Sequence, residues 1–533
     1  MSTPMASGWK RPRQRNFDQH HGPVRPIASR RVTRRRALPD FTAEAAIIGC
    51  GPVGATLANI LGFYGVNTLL IEREDAAYAL PRAVHFDDEV MRCFQAIGLA
   101  ARIAADCHVN PGMLFVDGAA KVLADWSRPM EIGPLGWHAS YRFHQPDLER
   151  VLRDGLRRYP HVTVLHGVAA QGLRQSDAGA DLDLVGRAGG KTSRATARFV
   201  IGCDGARSFT RGAIGAELED LGFDERWLVV DTRLKTPRPD LGDHSIQHCD
   251  PDNPATYVRG TGNRRRWEFR LDNGTGDEAA QNPEAVWARL EKWVTPGDAA
   301  LERAAVYTFR SRLARHWRKG AVLIAGDAAH QTPPFMGQGM CAGIRDAANL
   351  GWKLARVLRG RSDPQLIDSY QSERLPHARA YIEMAVAMGQ LINKTAAEKL
   401  LGADAPQDGA AKRIASIRPP LGPGLGLDRG SGTLTGRLCP QFRLADGTLS
   451  DDRAQGRVAL YCRAELEMPV ERRCGKRLRK LDIALIAAGA PALEAWLAGE
   501  DAAGIFVRPD GYVLASAGDT ESIAGHLDHG MGL

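Results

Sequence analysis

Three glycines near the start of the chain have the spacing of a phosphate-binding turn. The segment Gly49-Cys50-Gly51-Pro52-Val53-Gly54 follows the apolar run 45–48 and precedes a helical pattern over 52–64. In this context the first glycine permits a tight turn, the second lets a pyrophosphate approach the backbone, and the third lets the helix pack closely on the strand. The start of the helix then directs free N–H groups at the phosphates. The sequence therefore predicts a dinucleotide site formed by Gly49, Gly51, Pro52, Val53 and Gly54.

An acidic residue ends the next apolar run. Glu72 follows 67–71 and lies about 20 residues beyond the middle glycine, where a carboxylate can accept hydrogen bonds from ribose hydroxyls. We assign Glu72 and its neighbour Arg73 to the same site. Because FAD and NAD sites share this motif, the choice between the two cofactors depends on the rest of the chain.

A second carboxylate follows the apolar run 321–325. Asp327 would lie at the carboxyl end of a strand, where ligands bind in open α/β sheets, and it can accept hydrogen bonds from a polyol chain. The segment Gly337-Gln338-Gly339 then opens a helix near Met340. The N–H groups of that helix would face a flavin ring, on which negative charge collects during reduction. The pattern favours FAD, with contacts expected from Gly326, Asp327, Pro334, Gly337, Gly339 and Met340.

These motifs resemble those of the group A FAD-dependent aromatic hydroxylases, a class of flavoprotein monooxygenases. Segments 326–330 and 333–339 resemble that family's ribityl-binding motif, and 203–211 resembles its Asp-Gly motif. The resemblance implies that Asp204 and Gly205 contact both FAD and the nicotinamide. It also implies that Arg82 lies near the pyrophosphate and that Gln145 contacts the flavin.

Three segments are most similar to the 3-(3-hydroxyphenyl)propionate hydroxylase branch of this family. They are 81–88, 264–269 and 334–339. His85 departs from the small residue expected at its position in that branch. A carboxylated substrate needs a cation, and the nearest candidates are Arg264, Arg265 and Arg266, with a solvated charged turn or an ordinary ion pair as the alternative.

The resemblance implies hydroxylation of a phenolic ring. NADH or NADPH would reduce FAD, O₂ would add to the flavin, and a C4a-hydroperoxide would transfer hydroxyl to the phenol. The backbone at Pro334, Gly337 and Gly339 is expected to shape the peroxide environment. We expect 3-(3-hydroxyphenyl)propionate or 3-hydroxycinnamate to give the 2,3-dihydroxy product. The alternatives left open are another phenol (chlorophenol, resorcinol or polyketide-type) and a non-catalytic flavin-binding protein.

The expected fold class is α/β. A Rossmann-like FAD-binding domain, similar to that of p-hydroxybenzoate hydroxylase, would carry an inserted sheet-rich substrate-binding domain, and a thioredoxin-like α/β domain would follow. That last domain lacks a redox cysteine pair and is assigned to structure or assembly. The expected boundaries are 1–43 for a basic disordered arm, 44–105, 145–213 and 303–400 for the FAD-binding domain, 106–144 and 214–302 for the substrate domain, 401–436 for a linker, and 437–533 for the C-terminal domain.

Charge and cysteine usage limit the partners and the compartment. The net charge of +8 resides in residues 1–40, which hold ten basic and two acidic residues, so the remainder is balanced and we expect no nucleic-acid partner. The uncharged stretch 45–71 contains glycines and a proline, which argues against a membrane span. Nine scattered cysteines without metal-ligand spacing indicate reduced thiols, a cytoplasmic protein and no metal site. The sequence leaves open whether the protein forms a homodimer.

Overall fold

The computed structural model describes most of the chain. The described residues are 39–187, 190, 192–250, 254–272, 274–392, 412–424, 434–487 and 489–533. The predicted basic arm lies outside them as far as residue 38.

The strands alternate with helices in the first and last parts of the chain and cluster in its middle. In chain order the strands of the described residues are β1 (Phe41–Ile48), β2 (Thr68–Glu72), β3 (His85–Asp87), β4 (His108–Val109), β5 (Gly112–Val116), β6 (Val122–Ser127), β7 (Ser140–Arg142), β8 (Val162–His166), β9 (Val168–Ser176), β10 (Gly179–Gly186), β11 (Thr192–Gly202), β12 (Leu218–Leu234), β13 (Ser245–His248), β14 (Ala255–Arg259), β15 (Arg264–Arg270), β16 (Ala299–Ala314), β17 (Arg318–Lys319), β18 (Val322–Ile324), β19 (His330–Gln331), β20 (Lys412–Arg413), β21 (Val458–Cys462), β22 (Ile483–Ala487), β23 (Gly504–Val507) and β24 (Val513–Ala517).

The helices begin with the one that follows the glycine turn. In the described residues they are α1 (Pro52–Phe63), α2 (Asp88–Ala96), α3 (Ala100–Ala105), α4 (Gln145–Leu156), α5 (Phe209–Ala213), α6 (Asp277–Gln281), α7 (Pro283–Leu290), α8 (Gly339–Leu358), α9 (Ser369–Ile392), α10 (Ser450–Ala454), α11 (Glu467–Leu481), α12 (Pro491–Gly499) and α13 (Thr520–Asp528).

The first sheet is built from short apolar strands. Strands β18, β11, β1, β2 and β8 run parallel in that order. Ala45, Ile47 and Leu70 are inaccessible to solvent, as expected for a parallel sheet covered on both faces. The predicted βαβ opening is confirmed, because the uncharged stretch 45–71 comprises the end of β1, all of α1 and most of β2. Among the described residues, no helix is both long enough and apolar enough to cross a membrane.

The second sheet has nine strands in the order β19-β16-β12-β15-β14-β13-β5-β6-β20. Its longest pair is β12 and β16, which are antiparallel. The expected domain boundary at residue 302 falls inside β16, so the sheet continues to Ala314. Much of β16 is only half-buried, and therefore no continuous apolar run marks it in the sequence.

A separate α/β unit follows near the C-terminus. Its sheet has the order β22-β21-β23-β24, with β21 parallel to β22 and antiparallel to β23. Val470 and Ile523 pack α11 and α13 on one face, and Leu493 packs α12 on the other. Strands β23 and β24 pair antiparallel and are joined by a turn at Asp510-Gly511. The thioredoxin-like assignment stays a prediction.

Two other expected boundaries change. The arm was expected to reach residue 43, but β1 begins at Phe41. The predicted linker packs on the body where it is described, since β20 pairs with β6 and Gly422 N–H donates to Glu373 O at 2.9 Å. The parts 401–411 and 425–433 lie outside the described residues.

Candidate active site

The carboxyl ends of four neighbouring parallel strands bring the predicted motifs to one edge of the first sheet. The glycine turn follows β1, the Asp-Gly turn follows β11, the Gly-Asp turn follows β18, and Glu72 ends β2. Backbone hydrogen bonds fix these turns to one another. Gly49 N–H donates to Ile71 O and Cys203 N–H donates to Ile48 O, both at 2.8 Å. This edge is where an open α/β sheet binds its ligand.

The glycine turn fits a pyrophosphate. A Cβ at Gly49 would lie 2.4 Å from Cys203 O, and one at Gly54 would lie 2.0 Å from Gly49 O, so the protein's own backbone closes both positions. A Cβ at Gly51 would meet no heavy atom within 4 Å. Gly51 therefore faces open space at the N-terminus of α1, which has no side-chain cap. Open space beside uncapped N–H groups is the cradle that a phosphate requires.

Glu72 supports the glycine turn from the neighbouring strand. Its Oε2 accepts a hydrogen bond from Cys50 N–H at 2.8 Å, and its Oε1 accepts one from Glu74 N–H at 2.9 Å. The side chain of Arg73 is 75% exposed and pairs with Glu74 at 3.4 Å. Arg153 of α4, which sequence reasoning missed, donates to Cys50 O at 2.8 Å and adds positive charge beside the turn.

A buried network holds the Gly-Asp turn. Gly326 has a φ of +63°, and its N–H donates to Asp346 Oδ2 at 3.0 Å. His330 Nε2 lies 2.6 Å from the same oxygen, and Arg374 Nε donates to Asp346 Oδ1 at 3.0 Å. Burial by itself would raise the pKa of Asp346, but His330 and Arg374 hold that pKa below its ordinary value. His330 therefore helps to hold the Gly-Asp turn through Asp346, a carboxylate to which no sequence motif pointed.

Asp327 projects from this turn with its carboxylate available. Solvent reaches the side chain, and within the described part of the chain no N–H or O–H group donates to it. Surrounding protein nonetheless desolvates the carboxylate and raises its pKa, while His330 and Arg82 act in the opposite direction. A reachable carboxylate of this kind can accept hydrogen bonds from the hydroxyls of a polyol chain.

The turn before α8 is shaped by a left-handed glycine. Gly337 has a φ of +64°, and a Cβ there would lie 2.8 Å from His85 Nδ1. Burial lowers the pKa of His85 to about 4, so the ring is neutral, and its Nε2 lies 2.7 Å from Ser140 Oγ. His85 thus packs directly against the predicted flavin-facing turn. The half-buried backbone of this turn and of the helix start carries Pro334, Gly337, Gly339 and Met340.

Asp204 shapes the Asp-Gly turn through contacts within the chain. Its Oδ2 accepts hydrogen bonds from Thr210 N–H at 2.9 Å and Thr210 Oγ1 at 3.0 Å, and Ser208 Oγ donates to its Oδ1. Gly205 follows with a φ of +78°. Arg211 then joins two turns, since it donates to Ala206 O and to Ala328 O. Contacts of Asp204 and Gly205 with FAD or nicotinamide stay predictions.

Gln145 acts on the loop that carries Arg82. Its Oε1 accepts hydrogen bonds from Arg82 N–H at 2.9 Å and Ala83 N–H at 2.7 Å, and its Nε2 donates to Glu149 at 2.8 Å. The Arg82 side chain is exposed and lies over the Tyr78 ring at 5.3 Å. Gln145 therefore positions the backbone of Arg82, and their contacts with the cofactor stay predictions.

The three candidate substrate arginines do not point the same way, because side chains alternate across a strand. Arg266 Nε donates to Asp231 at 2.7 Å, and its other nitrogens donate to Pro81 O and Arg82 O. Arg265 lies on the opposite face, where it donates to backbone carbonyls. Arg264 is half-buried, 3.9 Å from Glu302. Arg266 thus fastens the second sheet to the loop that carries Arg82.

Two contacts hold one face of the second sheet against the predicted flavin-facing edge. Arg266 makes the first, and Trp227 makes the second by packing against Phe335 with ring centroids 5.4 Å apart. Glu268 lies between them on the same face, since β12 and β15 pair Asp231 with Arg266, Val229 with Glu268, and Trp227 with Arg270. A buried apolar cluster lies beside this face, with Phe115, Trp126, Phe223, Trp227, Phe335, Met336, Tyr381 and Met388 among its members.

Glu268 is a buried carboxylate that the sequence did not single out. It is 8% exposed, its nearest cation is Arg266 at 3.7 Å, and in the described residues no hydrogen-bond donor reaches it. Burial raises its pKa, Arg266 and Arg303 oppose this, and Asp231 reinforces it. Such a carboxylate can accept a proton from a bound group.

This fold and site define a class. The FAD binding domain family model matches residues 42–385, so the chain belongs to that family. The predicted membership of the flavoprotein hydroxylases is confirmed and FAD is the cofactor. The chain is an FAD-dependent hydroxylase of phenolic compounds.

Two curated relatives make the similarity more specific. The chain is 36% identical over 501 residues to a protein of Rhodococcus jostii (strain RHA1) named probable NADH-specific resorcinol 4-hydroxylase, covering 90% of this chain and 93% of the relative. It is 39% identical over 368 residues to the 3-(3-hydroxy-phenyl)propionate/3-hydroxycinnamic acid hydroxylase of Mycobacterium avium (strain 104), covering 67% of this chain and 62% of that protein.

Solved structures share the fold at low identity. The flavin-dependent monooxygenase PieE, in complex with FAD and substrate, matches with a TM-score of 0.76 at 21% identity, over 93% of this chain and 99% of that one. Aklavinone-11 hydroxylase, in a ternary complex with FAD and aklavinone, matches with a TM-score of 0.75 at 20% identity, over 92% and 99%. The predicted fold class is thereby confirmed.

Proposed function

We propose that this chain hydroxylates the ring of a small neutral phenol of the resorcinol type, with NADH and O₂ as co-substrates. The observation that carries the proposal is the charge pattern on the face of the second sheet that meets the flavin edge. The cations Arg266 and Arg303 both pair with Asp231, at 2.7 and 2.5 Å, whereas the Glu268 carboxylate has no hydrogen-bond donor among the described residues. That face favours a hydroxyl donor over a carboxylate, because a buried carboxylate requires a cation of its own.

The side chains divide the work between binding and proton transfer. The apolar cluster around Trp227 and Phe335 would hold the aromatic ring and exclude water. Glu268 would accept the phenolic proton: the phenol O–H bond breaks, a carboxyl O–H bond forms, and the oxygen lone pair enriches the ring carbons. FAD, when bound at the glycine and Gly-Asp turns, supplies the activation of O₂ and the oxygen transfer. The hydrogen bonds from Arg266 to the loop that carries Arg82 hold the second sheet in place beside these turns.

The resorcinol-type substrate and NADH also have support from a relative. The Rhodococcus jostii protein aligns along nearly its whole length, and its name specifies both NADH and resorcinol. The hydroxyphenylpropionate hydroxylases align over only about three fifths of their length.

A second candidate substrate is 3-(3-hydroxyphenyl)propionate, and one observation favours it. Arg264 Nε is buried without a hydrogen-bond partner in the described residues, and its ion pair with Glu302 is long at 3.9 Å. An arginine with a spare donor could receive a carboxylate. Arg265 Nε is likewise buried without a hydrogen-bond partner in the described residues, but it lies on the face of the strand opposite Arg264 and Glu268. Of the three predicted substrate arginines, Arg264 is therefore the one that we retain for this role.

A substrate panel separates these candidates. The purified yellow protein would be tested for NADH oxidation and for the hydroxylated product with resorcinol, 3-(3-hydroxyphenyl)propionate and 1,3-dimethoxybenzene, which lacks a phenolic proton. We expect a trihydroxybenzene from resorcinol and none from the dimethyl ether. A higher kcat/KM for the propionate, reduced selectively by Arg264→Met, would favour the second candidate. NADH oxidation without any hydroxylated product would contradict both.

A further inference from the structure

A hairpin of the C-terminal unit inserts into the FAD-binding domain. The turn between β23 and β24 carries Arg508, Asp510 and Tyr512, and each reaches across. Arg508 donates to Glu373 at 2.8 Å, and Asp510 accepts a hydrogen bond from Asn349 at 3.1 Å. Tyr512 is 3% exposed, and of these three residues it is the one whose hydrogen bonds extend toward the predicted flavin-facing turn.

The Tyr512 hydroxyl stands at the start of two buried relays. In the first relay, Tyr512 Oη donates to Glu89 Oε1 at 2.7 Å, and Arg345 Nε donates to Glu89 Oε2 at 2.5 Å. Arg345 also donates to Gln338 Oε1 at 2.9 Å, and Gln338 Nε2 donates to Asp87 at 3.1 Å. Gln338 is the middle residue of the turn that opens α8. The first relay therefore ends at the predicted flavin-facing turn.

The second relay ends at the Gly-Asp turn. His377 Nε2 lies 3.2 Å from Tyr512 Oη, and Arg374 Nη1 lies 2.8 Å from His377 Nδ1. Arg374 then donates to Asp346, which accepts the Gly326 N–H. None of the four residues whose side chains form this relay is more than 3% exposed, so water does not compete for these hydrogen bonds.

The hydrogen bonds around Tyr512 can be assigned one donor-to-acceptor direction, from Arg374 through His377 and Tyr512 to Glu89. A guanidinium has no acceptor, so Arg374 must donate to His377 Nδ1. Burial, Arg374 and Arg345 hold the pKa of His377 well below its ordinary value, so the ring is neutral and its proton lies on Nε2. His377 Nε2–H then donates to Tyr512, whose own proton is directed at Glu89. The hydroxyl is thus both acceptor and donor, and phenylalanine cannot replace either role.

From this geometry we propose that Tyr512 is a positioning residue for the FAD site, so that the C-terminal unit sets the two turns that hold the cofactor. The proposal rests on FAD binding by the family and not on which phenol is hydroxylated. It gives the C-terminal unit a role in the site, beyond the structure or assembly expected from the sequence.

The test compares two conservative variants at the same domain boundary. Tyr512→Phe removes the hydroxyl group at which the two relays meet. Tyr64→Phe is the matched control, because the Tyr64 hydroxyl also crosses the boundary, donating to Gly456 O, but lies at the far end of α1. FAD release from diluted holoenzyme would be followed by the recovery of flavin fluorescence, and the environment of bound flavin by visible circular dichroism.

We expect Tyr512→Phe to weaken FAD binding about tenfold, the lower end of the effect of losing one buried hydrogen bond to a charged group, and to change the flavin dichroism. Tyr64→Phe should leave both unchanged. Equal effects in the two variants, including no effect, would overturn the proposal. If Tyr512→Phe does not fold, Glu89→Gln decides: altered flavin dichroism in a stably folded protein supports the relay, and an unaltered spectrum overturns it. Wild-type holoenzyme that keeps FAD but does not hydroxylate resorcinol would contradict the proposed substrate alone.

Discussion

Substituting Gly51 separates cofactor binding from folding. The backbone at Gly51 (φ −73°, ψ −175°) is extended and suits any residue, and a Cβ would meet no heavy atom of the protein within 4 Å. Gly51→Val should therefore fold, with a loss of about 1 kcal/mol in the free energy of unfolding because valine is a poor residue at the start of a helix. Its side chain would occupy the space that we assign to the pyrophosphate.

The expected loss of affinity follows from the geometry at the start of α1. Pro52 has no N–H and Ala55 N–H donates to Gly51 O, which leaves the N–H groups of Val53 and Gly54 for the phosphates. Hydrogen bonds to charged groups contribute about 1.5–3 kcal/mol each. Displacing both therefore weakens FAD binding by about 3–6 kcal/mol, or roughly 10²- to 10⁴-fold.

The assay is flavin content and the FAD dissociation constant of purified Gly51→Val, with thermal unfolding of the flavin-free protein measured in parallel. Gly118→Val is the matched control, since Gly118 lies in a surface turn and a Cβ there would also meet no heavy atom within 4 Å. Wild-type flavin content in Gly51→Val would refute the placement of the pyrophosphate. Loss of folding without FAD would refute the claim that Gly51 faces open space.

Three further outcomes are expected. Glu268→Gln should lower kcat on a phenolic substrate while raising Tm. Because the folded-state pKa of Glu268 is raised, the free energy of unfolding of the wild-type protein falls as pH rises from about 4.3 through that raised value. Parallel Tm–pH curves for the two proteins would contradict this. Asp346→Asn should cost about 3–5 kcal/mol in chemical denaturation, since it leaves Arg374 buried without its carboxylate; a loss below about 1 kcal/mol would contradict it. Arg266→Met should release the Pro81–Arg82 loop and increase proteolytic cleavage there, whereas Arg265→Met should not.

The elements around the glycine turn could be predicted because their signals are local. The strand, glycine turn and helix over 45–64 form a continuous pattern, and Asp87 caps α2 locally, accepting a hydrogen bond from Val90 N–H at 3.1 Å. The extent of the second sheet could not be predicted in the same way. Strand β16 is stabilised by its pairing with β12 and not by an apolar run of its own.

The sequence by itself predicted a dinucleotide site and the order of the motifs, because phosphate-binding turns depend on the conformations that a few adjacent glycines permit. The Gly-Asp turn then favoured FAD, and the hydroxylation chemistry was implied by the resemblance of these motifs to the group A aromatic hydroxylases. Tertiary structure alone decided which charged side chains are paired within the protein and which could bind a ligand. It pairs Arg266 with Asp231, leaves Glu268 without a donor among the described residues, and brings Tyr512 from the C-terminal unit to a relay that ends at Gly326. Such pairings join residues far apart in the chain, and the cost of burying a charge depends on the partner that the fold places beside it.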